Sequence, residues 1–358
     1  MKRLAAVLLL PLLLSVPLAA IASLGQLSNL FVIGDSLSDG GNSGLRTQQF
    51  TGDPSVVFPP FPYYNGQYSN GPVAVQYLWD IFNPGNPGGF KPSLAGGTNY
   101  AIGGSTSGSE NYNAIRTDVP PVINAAFAQY GAAWQMQTFA AQQPVFDPAT
   151  SLFVVWLFPN DVFYTQQTGA LSGVVPGSPG GPDPISNGIA NILTIVQTLA
   201  AAGAQHFLVP NLPDLGLIPA FLGTPLQPTL SGVSALFNAN LAAQLTLLDQ
   251  ALPIEIVQFD TAGAFNAILN DPAAYGFENT TGSCVDNLAS GVCNPGNWDR
   301  WVFWDGVHPT TSTQHLLATE FAAAVPEPSS LALAALALMI VMGTQTRRFK
   351  AASVRLIR

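Results

Sequence analysis

The 358-residue chain predicts an α/β fold with a central parallel sheet. Three observations point there. Short, almost wholly apolar runs recur along the sequence and read as strands buried on both faces. Helical patterns rich in Ala and Leu lie between them, and strands alternating with helices imply right-handed crossovers. Hydrophobic residues make up 48% of the chain and charged residues only 9%. A large core is therefore available, and intrinsic disorder of the body is excluded.

The elements follow in order. Residues 29–33 (Asn-Leu-Phe-Val-Ile) form the first strand and run directly into the turn Gly34-Asp35-Ser36. A helix is expected over 73–82, and a second apolar run over 99–102. Then come a helix at 121–143, a strand at 152–157 and a helix at 185–202. A strand at 206–209, a helix at 235–252, a strand at 254–259 and a last helix at 311–324 complete the pattern. Two stretches, 42–72 and 165–184, are rich in Gly, Pro, Ser, Asn and Gln and read as long surface loops. A shorter one spans 83–97. Such loops often serve as rims or lids. The first carries Phe50, Phe58, Phe61, Tyr63, Tyr64 and Tyr68, which either line an acyl or sugar site or pack the loop against the body. There is no internal repeat.

Charge limits the partners. Between residues 23 and 324 the only basic residues are Arg46, Lys91, Arg116 and Arg300, against 19 acidic ones, a formal charge of −15. Nucleic acid, which needs clustered Lys and Arg, is excluded. Met1-Lys2-Arg3, an apolar run over 4–14 and Ala20-Ile21-Ala22 have the order of a secretory signal peptide covering 1–22. The folded domain is then 23–324. In an exported chain Cys284 and Cys293 read as a disulfide, with two free thiols as the alternative. They are too few for a metal site, and no His lies near them.

The segment 325–358 has its own character. Val325-Pro326-Glu327-Pro328 precedes an uncharged stretch over 329–346, and Arg347, Arg348 and Lys350 follow. As a helix that stretch reaches ~27 Å, just short of a ~30 Å hydrocarbon core, and the basic cluster marks a cytoplasmic end. The arrangement resembles the PEP-CTERM sorting signal of Gram-negative bacteria. That resemblance implies transient anchoring through a transmembrane helix, processing by an exosortase, and delivery to the cell surface or extracellular matrix. A simple C-terminal membrane tail is the alternative.

Histidine is scarce and is the usual base near neutral pH. His206 opens a buried strand and His315 lies on a helix face, so both read as structural. His308 stands in Asp305-Gly306-Val307-His308-Pro309, where a tight loop lets Asp305 fix one imidazole nitrogen and leaves the other for a hydroxyl; a solvated loop histidine is the alternative. Ser36 follows the first strand, at the carboxyl end where parallel sheets bind ligands. On its own, Gly-Asp-Ser is far more often a plain turn or helix cap.

The combination is more specific. Phe31-Val32-Ile33-Gly34-Asp35-Ser36-Leu37-Ser38-Asp39 resembles the opening block of the GDSL esterases and lipases, or SGNH hydrolases. Gly66-Gln67-Tyr68-Ser69-Asn70-Gly71, Gly97 through Ser105, Val155 through Asp161, Asn211 through Gly216, and Asp305 through Pro309 resemble further blocks in the family's order. The match spans about 29–322. It implies a flavodoxin-like three-layer α/β/α sandwich, the SGNH hydrolase fold. It also implies Ser36 as nucleophile, His308 as general base and Asp305 as its orienting acid. The oxyanion hole would comprise the Ser36 and Gly104 backbone N–H groups (Gly103 less well placed) and the Asn160 amide, with no metal or organic cofactor. The substrate would be an ester of lipid, aryl or acetylated-glycan type. One departure stands out: Phe158 and Pro159 replace the glycine and its successor in the family's Gly-x-Asn-Asp, removing conformational freedom just before Asn160. A surface-anchored binding or matrix protein on the same scaffold, and an acyltransferase, are the competing readings.

Overall fold

The computed structural model describes residues 26–325. The reading of 1–22 as a signal peptide, and that of 325–358 as a sorting and anchor segment beyond its first residue, lie outside the described residues. No helix among the described residues is long and apolar enough to cross a membrane.

The strands are β1 (Asn29–Gly34), β2 (Ser151–Trp156), β3 (His206–Pro210), β4 (Glu255–Phe259), β5 (Asn279–Ser283) and β6 (Trp301–Phe303). The helices are α1 (Asn42–Thr51), α2 (Ala74–Phe82), α3 (Pro121–Phe127), α4 (Ala132–Gln142), α5 (Pro159–Thr168), α6 (Pro184–Ala201), α7 (Gln227–Ala251), α8 (Thr261–Asn270) and α9 (Thr311–Ala324). The first four strands form one parallel sheet in sequence order.

The run at 99–102 is not a full strand. It lies along the free edge of β1, bridging Asn99 to Val32, with Tyr100 N–H donating to Val32 O at 2.9 Å. Counted with it, the spatial order is 2-1-3-4-5, the flavodoxin-like order whose switch point lies beside the first strand. The strands are apolar and buried as a two-sided sheet requires. On one face Phe31 stacks on Phe153 at 4.6 Å beneath Phe139 of α4. On the other, Trp156 meets Phe321 of α9 edge-on at 5.5 Å. Each fully buried side chain of this kind contributes about 1.5–3 kcal/mol.

Several boundaries differ from the sequence expectation. The single helix expected at 121–143 is two, α3 and α4, because Gln129 takes a positive φ of 62° and breaks the run. The loop expected at 42–72 begins with α1, and the one at 165–184 begins with the end of α5. Helix α7 starts at Gln227, well before residue 235. The short parallel pair β5–β6 was not expected. Cys284 and Cys293 are joined in a disulfide, with Cα atoms 5.3 Å apart, and both are fully buried.

Candidate active site

Several loops meet at the carboxyl end of the sheet. The first leaves β1. Asp35 Oδ1 accepts from Leu37 N–H at 3.0 Å, which closes a tight turn and leaves Ser36 facing the crevice. Asp39 anchors that turn. Its Oδ1 takes Gly41 and Asn42 N–H at 2.8 and 2.6 Å at the start of α1, and its Oδ2 takes Gly103 N–H at 2.8 Å. Burial pushes the carboxyls of Asp39 up to about 6 and of Asp35 up to about 7, against the donors that favour their charge.

The closing loop leaves β6. Asp305 Oδ1 accepts from Val307 and His308 N–H at 2.7 and 2.6 Å, folding the loop back on itself. Its Oδ2 lies 2.7 Å from His308 Nδ1, and His308 Nε2 lies 2.8 Å from Ser36 Oγ. The three residues thus form one continuous line. Burial would raise the Asp305 carboxyl, but the His308 charge and the hydrogen bonds outweigh it and hold the carboxyl at about 2.

This loop is buttressed from two sides. Ser69 Oγ donates to Pro309 O at 3.0 Å, and Asn70 Oδ1 accepts Thr311 N–H at 2.8 Å at the start of α9. Beneath it, Val285 N–H donates to Trp304 O at 2.8 Å, and Trp304 packs with the Cys284–Cys293 bridge and Trp301.

The remaining donors lie opposite. Gly103 N–H is already committed to Asp39 Oδ2 and, at 3.0 Å, to Ser43 Oγ. The backbone N–H groups of Ser36 and Gly104 meet no acceptor among the described residues. Gly104 has φ 78°, and a Cβ there would collide with Asn111 and Asn113, so only glycine fits. Asn160 Nδ2 donates to Ser105 O at 3.1 Å, which fixes the amide and leaves its second hydrogen for the crevice. Asp161 ties the same two loops together by accepting from Ser107 N–H at 2.8 Å and Ser107 Oγ at 2.7 Å; burial raises its carboxyl to about 6.

Phe158 does not lose the glycine-like conformation. It keeps φ 120°, fully buried at the head of α5, with its ring stacked on Phe237 at 3.8 Å and lying where a side chain at Gly188 would stand.

Ser36, Gly104, Asn160, Asp305 and His308 all border one cleft of about 720 Å³. One wall is apolar, with Phe163, Leu215, Ile218, Phe221 and Val307; Arg116 and Asp118 stand on another. Phe58, Tyr63 and Tyr68 from the aromatic loop border it too, whereas Phe61 is 94% exposed. Sequence offered Tyr63 as one of the loop aromatics but missed its link to the acid: its hydroxyl donates to Asp305 Oδ2 at 2.7 Å. The only signal was the density of aromatics around it. The other histidines are elsewhere. His206 Nδ1 pairs with Glu255 at 2.9 Å across β3 and β4, and His315 stacks edge-on against Tyr77 at 4.8 Å. No group of three or more His, Cys, Asp or Glu among the described residues is placed to hold a metal ion.

A family model described as GDSL-like lipase/acylhydrolase matches residues 30–321, and one for the PEP-CTERM protein-sorting motif matches 324–348. Esterase EstA of Pseudomonas aeruginosa is 29% identical over 347 residues, covering 86% of this chain and 48% of that protein. Thermolabile hemolysin of Vibrio parahaemolyticus is 26% identical over 309 residues, covering 82% and 62%. The chain thus spans about half to three-fifths of these curated relatives. Among solved structures, an acetylxylan esterase from Geobacillus stearothermophilus is 16% identical, covering 85% of this chain and 96% of that one, with a TM-score of 0.41. At that score the likeness carries no argument about substrate.

Proposed function

The chain belongs to the GDSL-like lipase/acylhydrolase family, and from that premise we propose that it hydrolyses carboxylic esters through a Ser36–His308–Asp305 triad and an acyl-enzyme. The observation that carries the reading is the unbroken line of hydrogen bonds from Asp305 Oδ2 through the imidazole to Ser36 Oγ, at 2.7 and 2.8 Å.

Asp305 holds Nδ1–H, so His308 Nε2 accepts the Ser36 proton as Oγ attacks the ester carbonyl. The developing oxyanion takes hydrogen bonds from the Ser36 and Gly104 N–H groups and the free Asn160 amide hydrogen, each worth about 3 kcal/mol of barrier. His308 then passes its proton to the leaving alkoxide. Water, deprotonated by His308, cleaves the acyl-enzyme, and Ser36 recovers its proton. None of these steps needs a metal or organic cofactor. The apolar wall of Phe163, Leu215, Ile218 and Phe221 favours an aliphatic acyl group.

The PEP-CTERM motif at 324–348 supports export and sorting to the cell surface. In this reading residues 1–22 are removed, 23–324 form the hydrolase domain, and 325–358 anchor the chain in the membrane until an exosortase acts.

Labelling by a fluorophosphonate probe, with turnover of p-nitrophenyl esters of increasing chain length, tests the proposal. Wild-type protein should label and turn over, and Ser36→Ala should do neither. A serine silent to the probe, with no hydrolysis at any chain length, would point to a binding module on the same scaffold.

A further inference from the structure

The geometry points to Tyr63 as a positioning residue for the acid–base pair, acting through the Asp305 carboxylate from a loop 242 residues away in sequence. This rests on the hydrolase reading above.

A carboxylate offers about four lone-pair sites, and all four on Asp305 are used. Oδ1 takes the Val307 and His308 N–H groups. Oδ2 takes His308 Nδ1–H and the Tyr63 hydroxyl, each at 2.7 Å. Without Tyr63, Oδ2 would be held only by the imidazole it has to aim. The Tyr63 hydroxyl is itself fixed. Tyr63 N–H donates to Pro60 O at 3.0 Å, and Tyr64 N–H donates to Ser69 O at 2.9 Å, which pins the segment 58–68 as a strap. The Tyr63 ring stands edge-on to Trp304, the residue before Asp305, at 6.3 Å. Tyr68, on the same strap, lies 5.0 Å from the His308 ring. Burial and the Asp305 charge push the Tyr63 hydroxyl far above its usual range, so it remains a donor at every working pH.

Two consequences follow. The hydroxyl draws charge from Oδ2 and moderates the pull of Asp305 on the imidazolium. The strap also borders the cleft through Phe58, Pro59 and Pro60, so the surface that meets substrate is tied to the acid by one side chain. The titratable and charged groups facing His308 are Asp35 and Ser36 from the turn after β1, Tyr68 from the strap, and Asp305 on its own loop.

The test is Tyr63→Phe in the full-length protein, which removes one oxygen and keeps the ring against Trp304. It should lower kcat about 10-fold, the scale of one hydrogen bond to a charged group, with KM nearly unchanged. Losing the donor makes Asp305 a stronger partner for the imidazolium, so the acid limb of the kcat/KM profile should move to higher pH. The low-field proton resonance of His308 Nδ1–H should shift with it. A merely structural role moves neither. In an Asp305→Ala background the same change should cost nothing further, because Tyr63 acts through Asp305; additive losses would overturn the proposal. So would a Tyr63→Phe enzyme with wild-type kcat and an unshifted acid limb. Ser36→Ala, run in parallel, separates the failures. If it retains turnover, the hydrolase reading falls and the positioning role with it. If it is inactive while Tyr63→Phe matches wild type, only the role of Tyr63 falls.

Discussion

Replacing Phe158 by alanine and by glycine should give an inverted order of stability. In helix interiors alanine is the more stable of the two, but Phe158 is the N-cap of α5, where glycine is already preferred. Here the backbone holds φ 120° at a residue with a Cβ, a strain of about 1–3 kcal/mol. It persists because the ring is wholly buried, stacked on Phe237 at 3.8 Å with 6° between the planes, and seated against Gly188. Phe158→Ala discards the packing and keeps the strain, so it should cost about 3–5 kcal/mol. Phe158→Gly discards the same packing but relieves the strain, and should be more stable than the alanine variant by about 1 kcal/mol after the added chain entropy of glycine. Urea midpoints at constant m-value measure the difference directly. For a body of this size, 1 kcal/mol corresponds to about 1.5–2 °C in Tm. Both variants should also lose kcat, because Asn160 is the second residue of the helix that the ring holds. An alanine variant as stable as the glycine variant would mean that the backbone at 158 relaxes once the ring is gone, and the strain argument would fail.

Asn160→Ala should lower kcat on the order of 100-fold or more with little change in KM, measured with a short aryl ester; an effect below about threefold in that assay would remove its amide from the oxyanion hole. Replacing Cys284 and Cys293 together by serine opens a loop with a sequence separation of 9, which should cost about 2.5 kcal/mol by chain entropy. It should also lower kcat, since Val285 hangs from Trp304 beside Asp305; calorimetry and kinetics on the same sample read both. The pH dependence of stability has a definite sign. Asp35, Asp39 and Asp161 carry carboxyls raised to about 7, 6 and 6, so the folded state holds more protons than the unfolded one between about pH 4 and 7. Their contribution is complete below the unfolded value and is lost as pH rises through the folded ones. Asp305, held at about 2, acts oppositely and only below about pH 4. Tm should therefore be higher at pH 5 than at pH 8, and the reverse order would count against the burial of these groups.

The sheet and the pairing of His308 with Asp305 and Ser36 were legible because their signals are local. Apolar runs marked β1 to β4, and three scarce histidines left one beside an acid at the right spacing. What escaped was organised by contacts distant in sequence. Helix α1 hides because its buried face is Asn42, Ser43, Gly44 and Thr47: hydrogen bonds such as Asn42 Nδ2 to Ala101 O at 2.8 Å hold it, and no apolar period announces it. Gln135 joins the end of β1 by two bonds to Gly34, at 2.7 and 2.9 Å, standing in for backbone pairing. Tyr63 escaped for the same reason, since its partner lies at the other end of the chain. At Phe158 the residue type argued for lost freedom, and only the slot made by Phe237 and Gly188 explains why the backbone keeps it.

The closing loop arrives last. Ser36 lies near the start of the body, and the imidazole it needs stands 272 residues later. Until β6 and α9 have docked, Ser36 is an ordinary alcohol with no base beside it. On the proposed mechanism, a chain still emerging, or one clipped before the final helix, would be inert toward esters. In that reading reactivity would come only with the completed fold, and esterase activity would double as a report that both ends of the body have found each other.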